Sequence, residues 1–302
     1  MRVTLTGASG LIGTNLVRAL TARGDDVTVL SRDPERASAT LGVAAEAWQP
    51  TAGPAPLAAL AGRDAIVHLA GERVDQRWSD SARQAIRASR ELGTRNLVDG
   101  LRGTEPRPDV LVSSSAVGYY GPHGDEVVDE STRGGDGDFL GGVCAAWEHE
   151  AERAEELGMR VVRVRTGVVL DRNGGALSRM LTPFRAGVGG PVAGGDQYMP
   201  WIHVDDLVGI YLAAIDGAHW SGPVNATAPE PVTNRAFSRA LGRALHRPAL
   251  LPIPGAALRL LYGDMAEIVT EGQRAVPRRT LELGYAFRHA DLDEALRDAL
   301  AS

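Results

Sequence analysis

Val3-Thr4-Leu5-Thr6-Gly7-Ala8-Ser9-Gly10-Leu11-Ile12-Gly13 constrains this chain more than any other stretch. Its glycines, spaced three apart, stand between a β-branched apolar run and an apolar-periodic segment, so a strand must turn directly into a helix. Gly7 permits the tight turn, Gly10 lets backbone come up to a pyrophosphate that any Cβ would obstruct, and Gly13 lets the helix pack on its strand. The helix starting near Ser9 to Leu11 then aims free N–H groups and its positive dipole end at the phosphates. A glycine triplet alone is weak evidence. The strand before it and the helix after it make this a dinucleotide site rather than a merely structural turn.

The 302-residue chain, 44% hydrophobic, is long enough for one large α/β core with an added lobe, or for two small domains. A net charge of −6 lacks the basic footprint of a nucleic-acid binder. No apolar run reaches the roughly 18 residues of a membrane span, and Met1 leads straight into a strand with no signal-like segment, so a cytoplasmic protein is expected. The single cysteine, Cys144, excludes an intrachain disulfide framework. All 32 basic side chains are arginine, because the sequence holds no lysine. That removes every mechanism built on a lysine Schiff base, a P-loop lysine or a lysine-assisted tyrosine.

Strand Arg2 to Thr6 leads through the turn into a helix from about Leu11 to Arg23, and strand two is Val27 to Leu30. The tip of that strand selects the cofactor, because an acid there suits adenosine ribose hydroxyls. Here the tip is Ser31-Arg32, a hydroxyl and a cation suited to a 2′-phosphate, which favours NADPH over NADH. Asp33, Pro34 and Glu35 read instead as an N-cap, a first-position proline and a first-turn acid. Ala65 to Gly71 reads as a buried parallel strand ending in small residues, which let a cofactor lie close at Leu69, Ala70 and Gly71. His68 reads as a core histidine, and the seven histidines show no metal-ligand spacing, so no metal site is expected.

A helix from about Ser79 to Arg102 precedes the strand Val110-Leu111-Val112, which runs into Ser113-Ser114-Ser115 and Tyr119-Tyr120-Gly121. Hydroxyls at a strand's carboxyl end lie on the ligand-binding edge of such a sheet. Pro122 to Gly137 reads as a polar surface loop, Phe139 to Leu157 as a helix, and Arg160 to Arg165 as the next strand. The alternation points to a parallel doubly wound sheet.

These pieces resemble the extended short-chain dehydrogenase/reductase superfamily over nearly the whole chain. The matching motifs are the glycine turn, His68-Leu69-Ala70-Gly71, Ser113-Ser114-Ser115 with Tyr120-Gly121, and Trp201-Ile202-His203-Val204-Asp205-Asp206. Gly263-Asp264-Met265, Glu271 to Pro277 and Leu283 to Arg288 look like the short C-terminal domain of unknown function carried by atypical NAD-dependent-epimerase-like proteins. Some of those relatives bear a cell-division-inhibitor label. The resemblance implies an α/β fold with a doubly wound Rossmann sheet and a smaller C-terminal substrate lobe. Residues 1–175 would form the NADP(H)-binding domain, with about 200–230 returning to it. Residues 176–302 would form the substrate lobe, including a C-terminal piece at about 250–298.

The superfamily's mechanism rests on a Tyr-x-x-x-Lys pair on the helix after the serine strand, the lysine lowering the tyrosine's pKa and holding the nicotinamide ribose. This chain departs from it. Counting back from Glu152, Cys144 falls at the tyrosine position and Glu148 at the lysine position, on one helix face. Glu148 would disfavour a thiolate and raise the thiol's pKa. Ser115 keeps the place of the serine that hydrogen-bonds a substrate oxygen. Arg90 stands near where the superfamily places an asparagine, open to two readings: an anion or phosphate ligand, or a solvated helix charge.

In the second half, Gly187 to Gly195 reads as a flexible loop over the cofactor edge or an ordinary surface loop. Gln197, Tyr198 and Trp201 face either a substrate or the core, and Asp205-Asp206 reads as a helix cap. The resulting expectation is an NADP(H)-dependent oxidoreductase or epimerase-like enzyme on an unknown small carbonyl or hydroxyl substrate. Its proton donor is Cys144, a protonated Glu148, Tyr119, Tyr120, water or the substrate. The alternative is a catalytically silent NADPH-binding sensor or interaction module. A small-molecule substrate is the expected partner, nucleic acid and membrane are not, and a homodimer stays open.

Overall fold

The computed structural model describes residues 1–134 and 137–301. Two residues of the loop expected over Pro122 to Gly137, Gly135 and Asp136, therefore lie outside the described residues. The first half is built from β1 (Arg2–Thr6), α1 (Leu11–Ala22), β2 (Asp26–Ser31), α2 (Pro34–Leu41), β3 (Ala44–Ala47), α3 (Leu57–Leu60), β4 (Ala65–His68), α4 (Asp80–Arg102), β5 (Val110–Ala116) and β6 (Val127–Val128). Then follow α5 (Phe139–Glu152), β7 (Arg160–Thr166), β8 (Val168–Leu170), α6 (Gly175–Arg185), β9 (Tyr198–Met199), β10 (Trp201–His203), α7 (Val204–Asp216), β11 (Gly222–Ala226), β12 (Val232–Thr233) and α8 (Asn234–Ala244). The C-terminal part carries α9 (Gly255–Tyr262), α10 (Glu267–Thr270), β13 (Arg274–Ala275), α11 (Arg278–Glu282) and α12 (Leu292–Ala301).

Local chemistry sets several of these boundaries. Asp33 accepts the Arg36 N–H at 3.0 Å ahead of Pro34, and Ser79 accepts the Ala82 N–H at 3.2 Å. Each satisfies a donor that has no partner inside its helix. α5 stops at Glu152 rather than running to Leu157. There Ala154 turns into the core beside Ala151, and Gly158, at φ +81°, closes a short 3-10 turn.

Seven parallel strands form one sheet in the order β3-β2-β1-β4-β5-β7-β11. Strand order reverses between β1 and β4, the switch point at which such sheets open a crevice for ligand. The strands alternate sides with period two. Val3, Leu5, Val67 and Val164 pack on α1 and α7 across one face, while Ile66, Leu111 and Val161 meet Leu60, Leu97 and Leu101 of α3 and α4 on the other. A separate apolar core joins Phe184 of α6, Trp201, Phe237 of α8 and Leu296 of α12. Among the described residues no helix is long and apolar enough to cross a membrane.

In the second half the structure decides between two pairs of open readings and corrects one expectation, the cap of α7. Gly187 to Gly195 is no open flap, because added Cβ atoms at Gly189 and Gly190 would strike the Phe184 ring and the Leu251 backbone. Trp201 is fully buried with its indole N–H on the Glu230 carbonyl, and Gln197 bonds the Val192 and Val269 carbonyls, so neither faces a substrate. The cap of α7 is His203, whose Nδ1 accepts the Asp205 N–H at 3.2 Å. Buried Asp206 instead clasps the C-terminal segment, accepting from the Tyr285 hydroxyl and from the N–H groups of Arg288 and His289 at 2.8 and 2.9 Å.

Candidate active site

At the switch point the glycines divide their work. Gly7 has φ +69°, and a Cβ there would lie 2.6 Å from the Leu69 carbonyl carbon; at Gly13 it would lie 2.5 Å from Ala8 Cα. Both are closed by protein. At Gly10 a Cβ meets only the Gly7 carbonyl, at 3.4 Å, so this position alone of the triplet opens outward. It opens on a cleft of about 830 Å³ that Ser9, Leu11, Gly71, Arg90 and Asp171 also line. Thr6 steadies the rim, its hydroxyl accepting the N–H groups of Leu69 and Ala70 at 3.2 and 3.1 Å. Ile12 and Leu69 pack on the main core instead of lining the cleft.

Ser31 and Arg32 stand at the tip of β2, outside that lining. The Ser31 hydroxyl accepts the Asp33 N–H at 3.1 Å, while exposed Arg32 has no ion pair or side-chain hydrogen bond among the described residues. Arg90 is partly buried, not the freely solvated charge that one reading allowed. Its guanidinium donates to the Glu72 carbonyl at 2.9 Å, lies 5.1 Å from the Trp147 ring centroid and pairs with no carboxylate among the described residues. Burial lowers its pKa.

At the carboxyl end of β5 a buried polar chain begins. Ser115 Oγ donates to Glu148 Oε1 at 2.6 Å. Arg165 grips the same carboxylate through both oxygens, Nε to Oε1 at 2.8 Å and Nη2 to Oε2 at 2.9 Å. Arg165 Nη1 donates to the Tyr120 hydroxyl at 3.0 Å, which donates to Asn225 Oδ1 at 2.7 Å. The bidentate guanidinium and the hydroxyl together hold the Glu148 carboxyl group in one orientation.

Two further candidate donors are buried beside this chain. Tyr120 is fully buried, and burial raises its pKa despite Arg165. Burial also pushes the Cys144 thiol up to about 12, with Arg90 pulling against the rise and Glu148 adding to it. The expected direction holds, with burial as the larger cause. Tyr119 lies under Arg165, whose guanidinium carbon is 3.6 Å from the ring centroid. His68 is a core residue, its Nδ1 2.7 Å from Thr6 Oγ1 and its Nε2 3.0 Å from Thr94 Oγ1.

Residues 3–225 match the NAD dependent epimerase/dehydratase family, and residues 253–299 match a domain of unknown function, DUF1731. The chain belongs to that epimerase/dehydratase family. It is 38% identical over 305 residues to the mouse epimerase family protein SDR39U1, covering all of both chains. The crystal structure of human epimerase family protein SDR39U1 (isoform 2) with NADPH superposes with a TM-score of 0.89 at 37% identity over 100% of each chain. A Corynebacterium glutamicum nucleoside-diphosphate sugar epimerase gives 0.80 at 35% identity, over 99% of this chain and 58% of that one.

Within this family member, Arg165 is the site residue that sequence reasoning missed. Its signal was present: Arg163 and Arg165, two apart on β7, lie on the side of Glu148 and Glu152. Two charges on one face of a central strand demand buried partners. A second cleft of about 540 Å³ opens beside Tyr120 and Gly121, bounded by Arg83, Phe139, Glu267 and Glu271. It lies between the strand-end loop and the C-terminal domain.

Proposed function

We propose that the protein binds NADP(H) along the glycine-lined cleft and acts as an oxidoreductase or epimerase-like enzyme on a small hydroxyl or carbonyl substrate. The outward-open Gly10 and the NADPH held by human SDR39U1 support the cofactor. In this reading Ser9, Leu11 and the first N–H groups of α1 receive the pyrophosphate, and Gly7 and Gly13 hold the turn. Ala70 and Gly71 form the adjoining wall, Ser31-Arg32 takes the 2′-phosphate, and Arg90 is the cation whose field reaches Cys144. Bound NADP(H) supplies the hydride chemistry.

One observation carries the enzymatic reading: the Ser115 hydroxyl donates to Glu148 Oε1 at 2.6 Å, at the ligand edge of the sheet. With that proton directed away, the Ser115 oxygen accepts from a substrate hydroxyl instead of donating to a carbonyl. As a substrate alcohol loses its proton to Ser115, the Ser115 proton moves to Glu148, and Arg165 keeps that carboxylate in place. Cys144 is a neutral packing surface in this scheme. The test is a panel of alcohols with NADP⁺ and of aldehydes and ketones with NADPH, read as nicotinamide absorbance. Turnover abolished by Ser115→Ala supports the proposal, and turnover indifferent to that change overturns it.

A silent NADPH-binding protein is favoured by a different observation, the engagement of Glu148 and Tyr120 and the high pKa of Cys144. NADPH that raises the unfolding temperature while nothing in the panel turns over would support it.

A further inference from the structure

Four ligand-bearing side chains from separate parts of the chain meet where α7 begins. His203 ends β10, Asp205 lies in the first turn of α7, His289 follows the Asp206-bound segment, and Asp298 stands on α12. One donor atom from each lies within 4.8 Å of the others. His203 Nε2 is 3.3 Å from Asp298 Oδ2, and His289 Nε2 is 3.9 Å from Asp205 Oδ2. The imidazoles lie ring beside ring, centroids 3.8 Å apart and planes tilted by 31°.

A second observation is independent of that clustering. His203 is only 1% exposed, yet among the described residues its Nε2 makes no hydrogen bond. A buried ring nitrogen left without a hydrogen bond is costly and needs an explanation. This one points into the cluster.

We propose that His203, Asp205, His289 and Asp298 bind one divalent transition-metal ion, zinc by preference. Two imidazole nitrogens with two carboxylate oxygens suit a borderline ion in a closed four-coordinate site, whereas magnesium and calcium favour oxygen alone. Both aspartates are about half exposed, at 55% and 49%, so they can turn inward as the donors close on the ion. Loading Nε2 moves the ring proton of His203 to Nδ1, which exchanges the 3.2 Å cap bond from the Asp205 N–H for a metal bond. None of the four residues lines the nucleotide cleft. The ion would tie α12 and the segment after Asp206's clasp to α7, a structural role separate from hydride chemistry.

The test uses the full chain stripped by chelator, titrated with zinc chloride and assayed for bound metal after gel filtration. The expected result is one equivalent per chain and an unfolding midpoint raised by about 5 °C. Cobalt(II) should give the intense visible absorption of a tetrahedral site. His203→Asn, which keeps a cap acceptor, and Asp298→Asn should each weaken zinc at least about tenfold, and the pair should abolish binding. If His203→Asn fails to fold, His289→Gln with Asp298→Asn asks the same question. No equivalent bound at about 0.1 mM free zinc, or an equivalent retained in a folded double variant, overturns the site.

Discussion

In the proposed scheme Ser115 meets the substrate and Arg32 the 2′-phosphate, so their removal is read in different assays. Ser115→Ala deletes the oxygen that meets substrate, and an assay of steady turnover should show kcat down about 10²- to 10⁴-fold with NADPH affinity intact. Arg32→Ala removes a charge-assisted phosphate contact worth about 1.5–3 kcal/mol, so fluorescence titration should show NADPH weakened about 10- to 100-fold and NADH hardly changed. His68 sets a pH dependence. Burial holds its folded pKa at about 3, so between pH 6.5 and 3 the unfolded chain binds a proton that the fold refuses. Stability is fully present above pH 6.5 and falls by about 1.4 kcal/mol per pH unit below it. His68→Gln should flatten that slope in urea titrations at pH 4.5 to 7. Single residues were legible where local chemistry fixes them, as with the Asp33 cap. Arg165 was not, because its partner Glu148 comes from a different element.

At the scale of the element, the glycine turn makes three separable claims. Gly13→Ala drives a Cβ into Ala8 Cα, and overpacking of that kind costs about 1–3 kcal/mol, visible as a lower unfolding midpoint without cofactor. Gly10→Ala meets only a carbonyl at contact distance, so the cofactor-free midpoint should hold while NADPH affinity collapses. A Gly10→Ala protein that still binds NADPH tightly would remove the phosphate from this turn. The strand-turn-helix pattern was legible because it needs only neighbours in sequence. Helix α5 was legible in position but not in length, since a buried Ala154 rather than a breaker residue ends it.

On the scale of the whole molecule, the doubly wound sheet could be read from the alternation of strand and helix patterns, but the attachment of the C-terminal part could not. That attachment runs through Asp206, where replacement by alanine strands the Arg288 and His289 N–H groups. Asp206→Ala should cost about 2–5 kcal/mol in equilibrium unfolding, and Tyr285→Phe, which deletes one hydroxyl, about 1 kcal/mol. The second attachment is Asn225 on β11. It takes the Tyr120 hydroxyl on its side-chain oxygen and the Thr280 hydroxyl on its carbonyl, while donating to Glu130 and the Val276 carbonyl. Glu130 in turn receives the Arg279 N–H. A boundary that adds directional bonds to its apolar contacts is more exacting than a purely greasy one: neither side can be swapped for a foreign module of similar shape without orphaning the other's donors and acceptors. The nucleotide-binding half and its C-terminal companion must therefore change together, and a chimaera that exchanges one must carry Glu130 and Asn225 as part of the graft.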